Sequence, residues 1–113
     1  MPKPSDLLQG TLDLLILKTI AREPVHGWGI AKRIQLLSGD ILSVGQGSLY
    51  PALHRMEERG LIVAEWGTTD HNRRAKFYRI TTAGKRHLKQ THDYWARFAG
   101  AVTKVLETAP SHA

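Results

Sequence analysis

The sequence contains no cysteine among its 113 residues. This absence excludes disulfide bridges, thiolate zinc sites and cysteine nucleophiles, and it fits the reducing cytoplasm in which we expect the protein. Long hydrophobic runs are also lacking, because Thr11, Asp13 and Lys18 interrupt the apolar N-terminal stretch. The sequence therefore predicts neither a signal peptide nor a membrane span.

The chain also lacks the residue spacings of catalytic and metal sites. None of the histidines lies four residues from another, and His54 with Glu58 makes only two ligands on one helix. His92 and Asp93 are adjacent and would point in different directions on a helix. The segment 45–50 lacks the third glycine of a dinucleotide-binding loop and the flanking glycines of a serine nucleophile elbow. We expect no enzymatic activity, no metal and no cofactor.

What the chain has is an average globular composition with an uneven charge distribution. Hydrophobic residues make up 42% and charged residues 23%, which predicts one folded domain. The net charge is +6, and residues 55–89 hold nine basic and four acidic side chains. A basic patch confined to one stretch indicates a polyanionic partner, most often nucleic acid, and a basic solvated surface is the alternative.

Apolar spacing predicts two helices in the first third of the chain. Apolar residues three and four positions apart indicate an amphipathic helix over residues 6–22, ended by Pro24. A second helix follows His26-Gly27 and closes at Ser38-Gly39-Asp40. The residues expected on its inner face are Ile30, Ile34 and Leu37.

The next segment predicts a short strand and a third helix. Residues 41–44 are β-capable, and residues 45–47 form a flexible joint. Ser48 is expected to cap the helix, with Pro51 in its first turn and Gly60 as its stop. The residues expected to face inward are Leu49, Leu53 and Met56.

Two β-prone runs and a long helix complete the chain. Residues 61–66 and 75–80 flank the turn-rich segment 67–74, which predicts a hairpin with a polar, basic tip. Thr81 or Thr82 then caps a helix that runs to about Leu106. The expected fold is mainly α with a small β-hairpin wing, a winged helix-turn-helix followed by a long C-terminal helix.

The last helix predicts a homodimer. Leu88, Trp95 and Val102 repeat every seven residues, and Thr91, Phe98 and Val105 form a second such series. A second copy is the simplest cover for both, and packing against the first helix is the alternative. We expect a DNA-binding domain over 5–81, a dimerisation helix over 82–108 and a disordered tail over 109–113. The interface residues are expected to be Leu88, Trp95, Phe98, Val102 and Val105.

The outward side of the third helix supplies candidate DNA contacts. Ser48, Tyr50, His54 and Arg55 fall away from its inner face. Arginine can pair twice with guanine, while tyrosine and serine suit phosphate oxygens. The alternatives are an Arg55–Glu58 ion pair, a Tyr50 that closes the core beside the wing, and a His54 that is a plain surface residue.

The hairpin supplies a second set of candidates. Arg73, Arg74 and Lys76 place three cations within four residues, with only Asp70 nearby. Like charges at that spacing repel unless an anion neutralises them, and a phosphate backbone would do so with release of counterions. A solvated loop is the alternative. Further candidates on the second helix are Lys32 and Arg33.

Four segments resemble the PadR family of bacterial transcriptional regulators. They are residues 8–17 (LQGTLDLLIL), 26–31 (HGWGIA), 47–57 (GSLYPALHRME) and 78–81 (YRIT), in the family's order and spacing. The resemblance covers about residues 7–90, and the length is similar to that of the short PadR subgroup. It implies a repressor that dimerises through its C-terminal helix and binds double-stranded DNA at an inverted repeat.

The resemblance also implies an effector and includes one departure. In some short PadR-like proteins an aromatic side chain on the last helix helps to line a cavity at the dimer interface that accepts planar apolar small molecules. Trp95 is the candidate here, and an ordinary core role for Trp95 is the alternative. The tip at 68–72 is more polar than the glycine- and arginine-rich tip expected for the family. A winged helix that binds RNA or protein is the rival function, distinguished by its lack of preference for one operator.

Overall fold

The computed structural model describes the backbone of residues 4–109 and the side chains of residues 10–109. The described elements are α1 (Pro4–Thr19), β1 (Val25–His26), α2 (Gly27–Leu37), α3 (Gln46–Glu58), β2 (Ile62–Thr68), β3 (Arg74–Ile80) and α4 (Thr82–Leu106). The three strands form one antiparallel sheet in the order β1-β3-β2. This is the predicted winged helix-turn-helix with a long C-terminal helix. Within the described part, no helix combines the length and apolar character needed to cross a membrane.

The core lies where α1, α2 and α3 meet the base of the sheet. Side chains at the predicted helical spacing are buried on all three helices, and the strands contribute apolar side chains at alternate positions. The largest fully buried side chains are Ile16, Leu17, Ile20, Ile30, Leu49, Leu53, Met56 and Ile62. The predicted inward face of α3 is confirmed.

Two predictions for α1 and α2 need correction. The first helix ends at Thr19 rather than near residue 22, because residues 20–23 already turn towards β1. Leu37 is 80% exposed, so it does not belong to the inner face of α2, whereas Ile30 and Ile34 are buried. Leu37 is the last residue of α2, beyond the point where the helix packs on the core.

The short strand lies elsewhere than predicted. Residues 41–44 form no strand, and β1 pairs instead with β3 through Val25 opposite Tyr78 and His26 opposite Phe77. The segment before α2 reaches the open edge of β3. The segment after α2 uses local bonds, since the Leu42 amide donates to Ser38 Oγ at 2.9 Å. Residues 41–44 favour β-structure, but they pair with no strand of the described sheet.

The start of α3 also differs from the prediction. Gly45 is the N-cap, its carbonyl accepts hydrogen bonds from the Ser48 and Leu49 amides, and Ser48 lies inside the helix. Pro51 therefore lies beyond the first turn, on the exposed side of α3. The predicted stop is confirmed, because Gly60 has a φ of 73° and closes the helix.

The long helix α4 begins against the turn that ends α3. Thr81 caps it by accepting a hydrogen bond from the Gly84 amide at 3.0 Å, and it donates to the Gly60 carbonyl at 2.7 Å. The predicted span from Thr82 to Leu106 is confirmed. The first half of α4 packs on α1, and the rest extends from a molecule that measures 60 × 28 × 25 Å. Of the expected tail, residues 110–113 lie outside the described part.

Candidate nucleic-acid interface

Tyr50 lies on the outward side of α3, close to the start of α2. Its side chain is 45% exposed, whereas Tyr78 of β3 is buried and closes the core beneath it. A Cβ added to Gly27 would lie 2.9 Å from the Tyr50 hydroxyl, so glycine at this position makes room for the ring. Tyr50 is therefore partly covered beside Gly27 and the wing and partly presented at the surface.

Ser48 and His54 are also exposed on α3. His54 Nε2 lies 2.9 Å from Glu58 Oε1, one helical turn further on, and both side chains are largely accessible. The pair is a surface contact on the same face as Pro51. His54 thus remains accessible to a partner molecule that approaches this face.

Arg55 lies on the flank of α3 that faces α1. Its Nη2 is 3.3 Å from Asp13 Oδ1, so Arg55 pairs with Asp13 and not with Glu58, the partner in the alternative interpretation. Burial raises the pKa of the Asp13 carboxyl, and the nearby charges of Arg55, Arg59 and His87 only partly oppose this shift. Arg55 lies off the buried face of α3, as predicted, but it is not free of protein contacts, because a carboxylate 42 residues away in sequence attracts it.

The β2–β3 hairpin, here called the wing, carries Arg74 and Lys76 over one indole ring. Their charged groups lie 4.7 Å and 5.9 Å from the centre of Trp66. Trp66 pairs with Lys76 across the strands, so these side chains share a face. Arg73 is exposed in the turn, where its amide donates to Thr69 Oγ1.

On α2, Lys32 and Arg33 have different surroundings. Lys32 Nζ lies 4.7 Å from the centre of the Trp28 ring. Arg33 Nη2 forms an ion pair of 2.9 Å with Glu23. Within the described part of the chain, the cations of Lys32, Arg74 and Lys76 form no ion pair with a carboxylate, whereas Arg33 and Arg55 do.

A cleft brings α3 and the wing together. It has a volume of about 390 Å³ and lies between the start of α2 and the base of the wing. Its lining residues are His26, Gly27, Trp28, Tyr50, Ala75, Lys76 and Tyr78. Three of the predicted contacts, Tyr50, Lys32 and Lys76, therefore surround Trp28 on one side of the molecule.

Trp28 and Trp66 were missed as candidate site residues, although both are exposed by more than half. A sequence signal exists for Trp28, which lies off the stripe defined by Ile30 and Ile34 and one turn before Lys32. For Trp66 the alternation with Ile62 and Ala64 suggests a core position. In the structure Trp66 lies opposite Lys76 and is exposed, so the core ends before Trp66 is reached along β2.

The predicted interface residues of α4 lie along one stripe that the single chain leaves partly open. Leu88 packs against the core, whereas Trp95, Phe98, Val102 and Val105 are 38%, 49%, 41% and 73% exposed. The alternative in which α1 covers α4 accounts only for the first half of the helix. Between the two helices lies an apolar groove of about 540 Å³, lined by Leu14, Leu15, Lys18, Lys85, Leu88, Lys89, His92, Trp95 and Ala96.

Comparison with known proteins identifies relatives of the whole fold. The model of the transcriptional regulator PadR-like family matches residues 16–90. A transcriptional regulator of Mycobacterium tuberculosis is 42% identical over 77 residues, which make up 68% of each chain. A crystal structure of a PadR-like regulator from Bacillus cereus is 27% identical with a TM-score of 0.78, and the match covers 92% of this chain and 99% of that one. A PadR family regulator from Eggerthella lenta is 32% identical with a TM-score of 0.73, over 93% and 89% of the two chains.

Proposed function

The chain belongs to the PadR-like family, whose members are DNA-binding transcriptional regulators and not enzymes, and we propose that it acts as a homodimeric repressor at an inverted-repeat operator. One observation carries the proposal. Tyr50 of α3, Trp28 of α2 and Lys76 of the wing line one cleft. The cations over the Trp28 and Trp66 rings have no carboxylate partner within the described residues.

In this proposal α3 enters the major groove and the wing follows the backbone. Ser48, Tyr50 and His54 face the DNA directly from α3. From α2 and the wing, the phosphate contacts are Lys32, Arg73, Arg74 and Lys76. Arg33 and Arg55 contribute only by exchanging Glu23 and Asp13 for phosphate, so we expect smaller effects from their replacement.

The dimer is proposed to form through α4. The residues of the exposed stripe repeat every seven positions and continue the face of Leu88 beyond the part of α4 that α1 covers, which supports cover by the same stripe of a second copy. Residues 5–81 would then bind DNA and residues 82–108 would hold the two copies together. Two-fold symmetry places the two α3 helices about one DNA turn, or a multiple of it, apart.

Repression and release by an effector rest on the family resemblance. A planar apolar molecule is proposed to bind beside Trp95, and the groove between α1 and α4 offers an apolar floor for it. Its binding would change Trp95 fluorescence and lower the affinity for DNA. If saturating planar compounds change neither quantity, the effector proposal is wrong while the regulator proposal stands.

The test is selection of genomic fragments by the purified protein at about 150 mM salt, followed by footprinting of the best fragment. We expect a two-fold symmetric site that is bound roughly a thousandfold more tightly than random duplex. Tyr50→Ala and the double variant Arg73→Ala/Arg74→Ala should lose it. The matched control, Arg97→Ala/Lys104→Ala, removes two cations from α4 and should retain it. Binding that shows no preference for any duplex would contradict the proposal and favour an RNA or protein partner.

A further inference from the structure

Two exposed tryptophans lie at or beside the cleft that Tyr50 lines. Trp28 on α2 is 57% exposed and Trp66 on the wing is 59% exposed. Lys76 connects them, because it lines the cleft with Trp28 and Tyr50 and also lies over the Trp66 ring. Large aromatic side chains at the surface are informative when they cluster, since water solvates them poorly.

Both tryptophans have cations above their rings, and different elements of the fold bring this about. Trp28 and Lys32 are one helical turn apart on α2, whereas Trp66, Lys76 and Arg74 share one face of the wing through the strand register. The charged groups lie 4.7 Å to 5.9 Å from the ring centres. Attraction to the ring restricts these long side chains and leaves their remaining N–H groups directed to solvent.

A partner for this surface must offer anionic and apolar groups side by side. The DNA backbone does so, because each phosphate is followed by a deoxyribose whose carbon atoms can pack on an indole. An anionic membrane also offers both, but it has no groove to receive α3, whose Tyr50 lines the same cleft as Trp28 and Lys76. The geometry therefore favours a duplex.

We propose that Trp28 and Trp66 contact the DNA directly, with their rings against deoxyribose and their bound cations on the adjacent phosphates. This inference rests on the proposed function. It adds two aromatic contacts to an interface that was predicted from cations and from α3 alone. The rings position Lys32, Arg74 and Lys76 before the DNA arrives, which lowers the entropy lost on binding.

Three single-tryptophan proteins test the proposal, because the chain has three tryptophans in all. The double variant Trp28→Phe/Trp95→Phe retains Trp66, and Trp66→Phe/Trp95→Phe retains Trp28. The third, Trp28→Phe/Trp66→Phe, retains Trp95. Acrylamide quenching is measured with and without a saturating amount of the selected operator duplex. We expect DNA to protect Trp28 and Trp66 from acrylamide and to leave the accessibility of Trp95 unchanged.

The outcomes separate this inference from the proposed function. If the duplex binds but leaves Trp28 and Trp66 as accessible as in the free protein, the inference is wrong and the regulator proposal stands. If no duplex binds, the proposed function itself fails. Protection of both residues by vesicles of anionic phospholipid, with none by DNA, would overturn the inference in favour of a membrane surface.

Affinity measurements with ring variants provide a second test. Trp66→Ala should weaken operator binding about tenfold, because both the apolar contact and the support of two cations are lost, and Trp66→Phe should weaken it less. Val63→Ala is the matched control, since Val63 is an exposed apolar residue on the opposite face of β2. Equal affinities for Trp66→Ala and Val63→Ala would contradict a direct contact.

Discussion

At the scale of single residues, Gly27 determines where the Tyr50 ring lies. A Cβ at position 27 would come within 2.9 Å of the far end of that ring, which can move, whereas the backbone around Gly27 can remain in place. We expect Gly27→Ala to turn the Tyr50 hydroxyl out of position and to lower operator affinity roughly threefold to tenfold, the range of one lost hydrogen bond. Stability should change by less than about 1 kcal/mol.

Binding titrations and thermal unfolding of the same samples check this expectation. Gly10→Ala is the control, because a Cβ added there meets nothing within 4 Å. Equal operator affinities for the Gly27 and Gly10 variants would show that the position of Tyr50 does not matter for DNA binding.

Asp13 gives the protein a distinct dependence on pH. Burial raises its pKa above the ordinary value of 3.8, so the folded protein holds this proton more tightly than the unfolded chain does. The contribution of Asp13 to the free energy of unfolding therefore falls as pH rises from 3.8 through the raised pKa. We expect Asp13→Asn to become more stable relative to the wild type across that interval, and to show no further relative gain above it.

Urea unfolding at a series of pH values measures this difference. Asp93→Asn serves as the control, since Asp93 is an exposed carboxylate on α4. A constant difference between Asp13→Asn and the wild type at every pH would contradict the expectation.

At the scale of elements, local signals were sufficient for the inward face and the end of α3, for the wing and for α4. Helical spacing of Leu49, Leu53 and Met56 and the stop at Gly60 are properties of neighbouring residues, so the sequence predicts them. The orientation of the Arg55 side chain depends on its ion pair with Asp13, and this pair exists only because α1 packs against α3. The true strand β1 likewise depends on the open edge of β3. The ion pair and the strand pairing are tertiary contacts, and the spacing of apolar residues along the sequence does not predict them.

The junction of α3, β2 and α4 depends on close backbone approach at Gly84. A Cβ there would overlap the Leu61 carbonyl oxygen and lie 2.8 Å from Ile80 Cγ1, and neither atom can move without shifting a backbone or the core. We expect Gly84→Ala to lower the free energy of unfolding by about 1–3 kcal/mol, the usual range for overpacking. Helix propensity alone predicts the opposite sign.

Gly100→Ala is the matched control for this variant, because it lies on the same helix with nothing within 4 Å of an added Cβ. Urea unfolding should show a gain of up to about 1 kcal/mol for Gly100→Ala. If both variants raise the free energy of unfolding by the same amount, the close packing at Gly84 does not affect stability.

At the scale of the whole molecule, the two ends carry different surfaces. One side of the winged domain presents Tyr50 and cations that form no ion pair within the described residues, whereas α4 presents an apolar stripe that the single chain leaves partly open. Binding to an inverted repeat needs both, because a monomer contacts only one half-site. Separation of the two copies should therefore weaken operator binding without altering either winged domain.

Phe98→Lys tests this dependence. Phe98 is 49% exposed in the single chain, so lysine fits there without disturbing the core, but in a dimer it would place a charge within the apolar interface. We expect sedimentation at micromolar concentration to show monomers, with operator affinity lowered more than tenfold and helix content by circular dichroism retained. Gly100→Lys adds the same charge on the opposite face of α4 and should remain dimeric. A dimeric Phe98→Lys protein with unchanged affinity would place the contact between copies elsewhere than on the α4 stripe.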